Sequence, residues 1–390
     1  MKKSVIILIT TVFLSLAILP KASFAEEQTM ELAEKARSAI LIEQNTGTVL
    51  YEKNSEEQLP PASMTKIMTM LLVMEAVKEG KLKLTEKVRT SENAASMGGS
   101  QIFLEPGEEM TAEQLLLAVA VGSANDASVA LAERIAGSEQ AFVKMMNEKA
   151  EQLGLKNTKF QNTTGLPAKD HYSSASDMAI MAKELLKYEE ITKFTGTYES
   201  YLREDTDKKF WLVNTNRLIR FYPGVDGLKT GFTREAMYCL TATAKKDDMR
   251  IVAVVFGAPT PKDRNKQISA MFDFAFNQFE TKPFYKKNEV VAEAKIKKGQ
   301  KPKINAVTND SIALLSRKGE KLEDVKKEIV LDKTIQAPIK KGDTIGKIML
   351  KKDNKLLAEG TLVASEDVKS ASWWTFYKRT FGIFTKIKAD

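Results

Sequence analysis

The chain has 390 residues, 43% of them hydrophobic and 28% charged, with a formal net charge of +8. That is the balance of a globular protein long enough for two domains of ordinary size. One cysteine, Cys239, excludes an internal disulfide, and with one histidine, His171, it excludes a zinc site of the usual Cys and His type.

In chain order, the first element is a leader. Lys2 and Lys3 precede an uncharged apolar run from Val5 to Leu19, and "KASFA" places small Ser23 and Ala25 where a signal peptidase reads, so residues 1–25 are expected to be removed on export. "SAILIEQNTGTVLYEK" then predicts a hairpin: a strand from Ala39 to Glu43, a turn from Asn45 to Gly47, and a strand from Thr48 to Lys53. Pro60 and Pro61 stop the extended chain and open a buried helix that runs to about Lys78 and is closed by Gly80. Helical patterning dominates from Thr111 to Leu186, broken by the loop "FQNTTGLPAKDHYSSASD". Short segments rich in Thr, Val and Ile follow, "GLKTGFT", "YCLTATAKK" and "MRIVAVVFG", the last two joined by a turn from Lys245 to Asp248. Strands from both ends of this region are expected to share one antiparallel sheet beside the central helices, with a final helix from about Lys266 to Phe279.

Composition shifts near Pro283. From 284 to 364 short alternating segments such as "VVAEAKIKKG" and "EIVLDKTIQAPIKKGDTIGKIML" predict a small all-β domain. Residues 285–370 hold 20 basic against 13 acidic side chains, whereas residues 26–284 carry a net charge of −5, so the basic character lies in the C-terminal third. Nucleic acid is an uncommon partner outside the cell, which leaves an anionic lipid or wall polymer, or plain solvation, as the role of those lysines. The last segment, 365–390, is expected to form an amphipathic helix. Trp374, Tyr377, Phe381 and Phe384 fall at helical spacing among Lys378, Arg379, Lys386 and Lys388, the pattern of a helix lying in the surface of a membrane.

"LPPASMTKIMTMLLVMEA", residues 59–76, is apolar except for a few side chains, and it keeps Ser63 and Lys66 one turn apart at its start. At i and i+3 they share a face, so the amine can reach the hydroxyl at the positive end of a helix dipole. Alone this spacing is weak, since a chain of this length should contain about one or two by chance. "VGSAND" adds Ser123 and Asn125, and "DGLKTGFT" adds Lys229, Thr230 and Gly231 on a predicted edge strand. Each has an ordinary structural reading, a capping serine or a strand lysine. The ordered occurrence of all three changes that balance.

With these motifs, and with "PASMTKIMT", "SANDAS", "HYSSASDMA" and "GVDGLKTGFT", residues 35–283 resemble the penicillin-recognising serine enzymes. The likeness is greatest to the low-molecular-mass penicillin-binding proteins that act as D-alanyl-D-alanine carboxypeptidases, of the type associated with spore formation in Gram-positive rods. The resemblance implies an α+β transpeptidase fold shared with serine β-lactamases, an antiparallel sheet with a helical cluster, over residues 26–283. It implies no cofactor and no metal, a substrate class of peptidoglycan stem peptides ending in D-Ala-D-Ala, and acylation by β-lactams. The implied site has Ser63 as nucleophile, Lys66 as its base and Ser123 as proton relay. Asn125 would hold the substrate amide, the backbone N–H groups of Ser63 and Phe232 the oxyanion, and Lys229, Thr230 and Arg264 the terminal carboxylate, while Gly231 lets the substrate backbone pair alongside. A second arginine of some relatives is Thr215 here, with Arg217 nearby. His171 and Asp177 match loop positions that are structural. The implied location is the outer face of the cytoplasmic membrane.

Two other functions fit the same motifs. A β-lactamase of this fold would deacylate rapidly, and the commonest serine class uses a Glu-x-x-Leu-Asn loop that is absent between Ser123 and Lys229. A non-catalytic wall-binding or β-lactam-sensing protein would not need all of Ser63, Lys66, Ser123, Asn125 and Lys229.

Overall fold

The computed structural model describes residues 31–320, 322–353 and 355–373. The expected leader, and all but the first residues of the expected tail helix, lie outside them.

The chain enters on β1 (Ser38–Glu43) and returns on β2 (Val49–Lys53), the predicted hairpin. Every side chain of β1 is buried because β1 lies inside a sheet, with β2 on one side and a strand from far along the chain on the other. Helix α1 (Lys66–Lys78) follows. It is apolar around its circumference, and accordingly it is a core helix: Ile67, Met68, Met70, Leu71, Val73 and Met74 are essentially inaccessible. A small hairpin, β3 (Lys87–Arg89) and β4 (Glu109–Thr111), precedes α2 (Asn125–Ala136) and α3 (Glu139–Gln152). Gly137, at φ 83°, ends α2 in the left-handed conformation that glycine adopts without strain. Helix α4 (Ala175–Leu185), capped by the Ser174 hydroxyl on the Asp177 N–H, packs against α1.

A second hairpin, β5 (Glu199–Leu202) with β6 (Phe210–Val213), leads to β7 (Val225–Thr233), β8 (Met237–Lys246) and β9 (Met249–Ala258). These complete a five-stranded antiparallel sheet in the order β2-β1-β9-β8-β7, so strands from both ends of the region share one sheet as the sequence predicts, and β7 is its edge. Helix α5 spans Pro261–Gln278, longer at its start than the sequence predicts. Thr260 accepts the Asp263 N–H and Pro261 takes the first turn, a start signal that moves Arg264 from a loop into the helix.

The second domain begins without a linker. β10 (Phe279–Tyr285) starts at the residue after α5, so Pro283 lies within a strand and not at a boundary. β10 pairs with β13 (Ile312–Arg317). The other strands are β11 (Val290–Lys297), β12 (Lys303–Thr308), β14 (Lys326–Leu331), β15 (Ile335–Gln336), β16 (Thr344–Lys352) and β17 (Lys355–Ala364). They form a six-stranded sheet in the order β14-β16-β17-β12-β11-β15 around Ile296, Ile304, Leu314, Ile348, Leu350 and Leu362. The fold is thus α+β, a sheet with a helical cluster followed by a small all-β domain. The tail helix does not begin at 365: Val368 bridges Ile339 and Ser370 bridges Gly299, so this stretch is held to the β domain by backbone pairing. Among the described residues, no helix is long and apolar enough to cross a membrane.

Candidate active site

Ser63 lies in a single 3-10 turn, Ala62–Thr65, that runs into α1. Ala62 has φ 48°, in the left-handed region that a non-glycine residue rarely enters, and the chain therefore turns sharply just before Ser63. Ser123 is held likewise, at φ 60°, where a short π-helical turn, Ala118–Gly122, ends. Each such residue costs about 1–3 kcal/mol and persists only because its surroundings impose it. Both lie within two residues of a side chain that touches Lys66.

The Lys66 amine is at the centre. It is fully buried, and its Nζ lies 2.6 Å from Asn125 Oδ1, 2.7 Å from the Thr164 carbonyl and 3.2 Å from Ser63 Oγ. Burial is the main reason its pKa falls well below the ordinary lysine value, with the charge of Lys229 adding to the fall and Asp126 opposing it. Asp126 carries its charge toward the backbone, accepting the N–H groups of Ile102 and Leu104. A neutral amine has two N–H groups and one lone pair. The two short contacts are to atoms that can only accept, so they take the N–H groups, and the lone pair is left for the Ser63 hydroxyl.

Asn125 presents its oxygen and not its amide to Lys66 because its Nδ2 donates to the Gly98 carbonyl at 2.6 Å. The Thr164 carbonyl is placed by Asn162, whose Oδ1 accepts from the N–H of Thr164, the Thr164 hydroxyl and the N–H of Gly165. That turn can press against the nucleophile only because residue 165 has no side chain. A Cβ on Gly165, which sits at φ 83°, would lie 1.8 Å from the Ala62 carbonyl oxygen and 2.9 Å from the Ser63 nitrogen. His171 clamps the same loop to the helix entry: Nδ1 accepts the Gln161 N–H at 3.0 Å, so Nε2 holds the proton and donates to Thr65 Oγ1 at 2.8 Å. Burial brings its pKa down to about 4, so the ring is neutral and holds the loop. Asp177 accepts the Asn157 N–H and the Thr158 hydroxyl, also a structural task.

Strand β7 forms the opposite wall. It runs so close to the helix entry that a Cβ on Gly231 would meet the Pro61 carbonyl oxygen at 2.7 Å. Lys229 is buried, and desolvation followed by the charge of Arg264 brings its pKa down to about 7. Arg264, in the first turn of α5, is also buried, which lowers its pKa to about 10, and its guanidinium donates twice to Asn265 Oδ1. Among the described residues it pairs with no carboxylate. Thr230 Oγ1 lies 2.6 Å from Thr215 Oγ1, so Thr215 holds the Thr230 hydroxyl. The Phe232 side chain is half exposed and stacks on Tyr238. Cys239 is buried with its thiol pushed up to about 12 and is a core residue. Ser123 is buried and its hydroxyl makes no hydrogen bond to another described residue.

The structure thus brings Ser63, Lys66 and Asn125 into contact, with the strand bearing Lys229, Thr230 and Gly231 across from them and Arg264 near enough for its charge to act on Lys229. Sequence reasoning did not identify the Thr164 carbonyl, Asn162, the Gly98 carbonyl or the Thr215 hydroxyl. The Asn-Thr-Thr-Gly run signals a turn, but a backbone acceptor leaves no mark of its own in a sequence.

Residues 23–260 match the family described as D-alanyl-D-alanine carboxypeptidase, and residues 279–370 match the C-terminal domain of penicillin-binding protein 5. The D-alanyl-D-alanine carboxypeptidase DacF of Bacillus subtilis is 62% identical over 98% of this chain and 99% of its own length, and DacC of Escherichia coli is 34% identical over 92% of each. Among solved structures, penicillin-binding protein 5 from Haemophilus influenzae has a TM-score of 0.68 at 34% identity, covering 86% of this chain and 98% of its own. Penicillin-Binding Protein D2 from Listeria monocytogenes, in its ampicillin-bound form, has a TM-score of 0.56 at 31% identity over 62% of this chain and 98% of its own.

Proposed function

The chain belongs to the D-alanyl-D-alanine carboxypeptidase family, and within that reaction we propose that Ser63 is the nucleophile and Lys66, as the free amine, its base. The observation that carries this is the set of contacts around Nζ, two acceptors at 2.6 and 2.7 Å and the Ser63 hydroxyl at 3.2 Å, in a buried site beside a second cation. The Ser63 proton passes to Nζ as Oγ attacks the carbonyl between the last two D-alanines, and the oxyanion forms against the N–H groups of Ser63 and Phe232. Removing such a donor costs about 10²-fold or more in rate. Collapse breaks the peptide bond, the departing amine takes a proton by way of Ser123, and water then hydrolyses the Ser63 ester. Asn125 orients both the Lys66 amine and the substrate amide. Lys229, Thr230 and Arg264 receive the terminal carboxylate, which would supply the anion these buried cations lack.

Incubation with a D-Ala-D-Ala peptide and with benzylpenicillin tests this. D-alanine release and a penicillin adduct located on Ser63 by mass spectrometry, both lost in Ser63→Ala, are expected; an adduct elsewhere rejects the nucleophile. A β-lactamase would shed the adduct quickly, whereas a carboxypeptidase keeps it for many minutes, and a wall-binding protein would release no D-alanine.

The leader and tail support an exported enzyme held at the outer face of the cytoplasmic membrane, with the amphipathic 371–390 segment lying on anionic lipid. Deleting 371–390 is then expected to release the protein into the soluble fraction with its activity on short peptides retained; sedimentation of the truncated protein with membranes points to another anchor. Use during spore formation predicts transcription confined to sporulating cells, which a promoter fusion measures.

A further inference from the structure

Acylation creates a charge where the fold already holds one of the same sign. As Ser63 Oγ bonds to the attacked carbonyl carbon, its O–H bond breaks and the proton moves to the Lys66 lone pair, so a buried neutral amine becomes an ammonium. Desolvation and Lys229 both oppose that ammonium. The charged and titratable groups packed around Lys66 are few. Strand β7 brings Lys229, on which Arg264 acts in turn. The loop that carries Thr164 is tied to Glu139, whose Oε1 accepts the N–H and hydroxyl of Thr163, and to His171, which is neutral. Helix α2 brings Asp126 in its first turn, and this is the anion whose charge acts on Lys66.

Asp126 is inaccessible to solvent, and its hydrogen bonds are all to backbone. Oδ2 accepts the N–H groups of Ile102 at 3.0 Å and Leu104 at 3.1 Å, while Oδ1 accepts that of Ala127 at 2.9 Å and lies 3.2 Å from the Ile102 nitrogen. Phe103, between the two donors, has φ 57°, a left-handed turn that lets the flanking N–H groups converge on one carboxylate. The same stretch of chain holds Asn125: the Gly98 carbonyl accepts its Nδ2, and the Ser100 carbonyl accepts its backbone N–H at 2.7 Å. Asp126 therefore pins the segment that turns the Asn125 oxygen toward Lys66.

We propose that Asp126 is a positioning residue for this proton transfer: it fixes the 98–104 segment that aims Asn125 at Lys66, and its charge stabilises the ammonium formed when Lys66 takes the Ser63 proton. The inference rests on Lys66 as the base. Neutralising Asp126 makes Lys66 a weaker base, with two consequences of opposite sign. The free amine persists to lower pH, and it takes the Ser63 proton less readily.

The test is the second-order rate of Ser63 acylation by a fluorescent penicillin, followed against pH in the full-length enzyme. Asp126→Asn is expected to move the acid limb about one unit to lower pH and to lower the plateau about 3- to 10-fold. Ile102→Ala loosens the same segment without removing a charge, so its rate should fall with the limb unmoved. Asp126→Ser is smaller and keeps an oxygen that can accept one N–H; it carries the same expected shift should Asp126→Asn not fold. An unmoved limb in a folded Asp126 variant overturns the proposal, as does an equal shift in Ile102→Ala. Undiminished acylation in Lys66→Met overturns the base assignment, and the inference with it.

Discussion

Replacing Gly165 with alanine tests whether the loop and the nucleophile are one rigid assembly. The new Cβ would lie 1.8 Å from the Ala62 carbonyl oxygen where ordinary contact starts near 3.4 Å, and the facing atoms are backbone, so no rotamer change relieves the clash. The loop or the Ser63 turn must move by about 1.6 Å, which is the overlap of those two distances. A full shift of the loop would carry the Thr164 carbonyl from 2.7 Å to about 4 Å from Lys66, beyond hydrogen-bond reach, and would disturb the Ser63 N–H. Misplacement of about 1 Å in a reacting constellation costs about 10²-fold. To this the left-handed backbone at φ 83° adds about 1–2 kcal/mol of instability and the overpacking about 1–3 kcal/mol. Gly137 is the control. It has the same φ of 83° with nothing within 4 Å of a built Cβ, so Gly137→Ala carries the conformational cost without the collision. Stopped-flow acylation by a fluorescent penicillin, on variants shown by circular dichroism to be folded, should give a rate for Gly165→Ala about 10²-fold below that of Gly137→Ala. Rates within threefold of each other would falsify the claim that this loop sets the nucleophile.

The pH profile of kcat/KM should be bell-shaped, rising as Lys66 loses its proton at a pH well below the ordinary lysine value and falling through about pH 7 as Lys229 loses the charge that holds the carboxylate. Lys229→Gln removes the cation that depresses Lys66, so the acid limb should move to higher pH while the alkaline limb vanishes; an unmoved acid limb shows that the two amines are not coupled. Thr215→Val deletes the 2.6 Å partner of the Thr230 hydroxyl and should lower kcat/KM by about 3- to 10-fold, mostly through KM, with little change in melting temperature. An unchanged KM in that variant shows that the Thr230 hydroxyl is held by other means.

What could be read from the sequence was whatever the side chains themselves encode. The even apolarity of α1 signalled a core helix, the Thr and Val runs signalled β7, β8 and β9, and the spacing of Ser63 and Lys66 placed hydroxyl and amine on one face. The sheet order needed one further inference, that the first hairpin pairs with strands about 200 residues later, which Ser38↔Phe256 and its neighbours realise. Backbone chemistry was hidden. The acceptors that leave the Lys66 lone pair toward Ser63 include a carbonyl 98 residues away, and every residue has a carbonyl. Short elements were hidden too. The three-residue strands β3 and β4 and the four-residue β5 and β6 give periodicity too few positions to register. The start of α5 was placed five residues late because its first turns, "PKDRN", are polar, and only the Thr-Pro cap marks the true start.

The passage from α5 to β10 without an intervening residue has a mechanical meaning. The 18 residues of α5 form a rod about 27 Å long. One end bears Arg264 and the other is spliced into the β domain. With no loop between them there is no hinge at that splice, so the direction in which the first strand of the β domain leaves is set by the last turn of the helix.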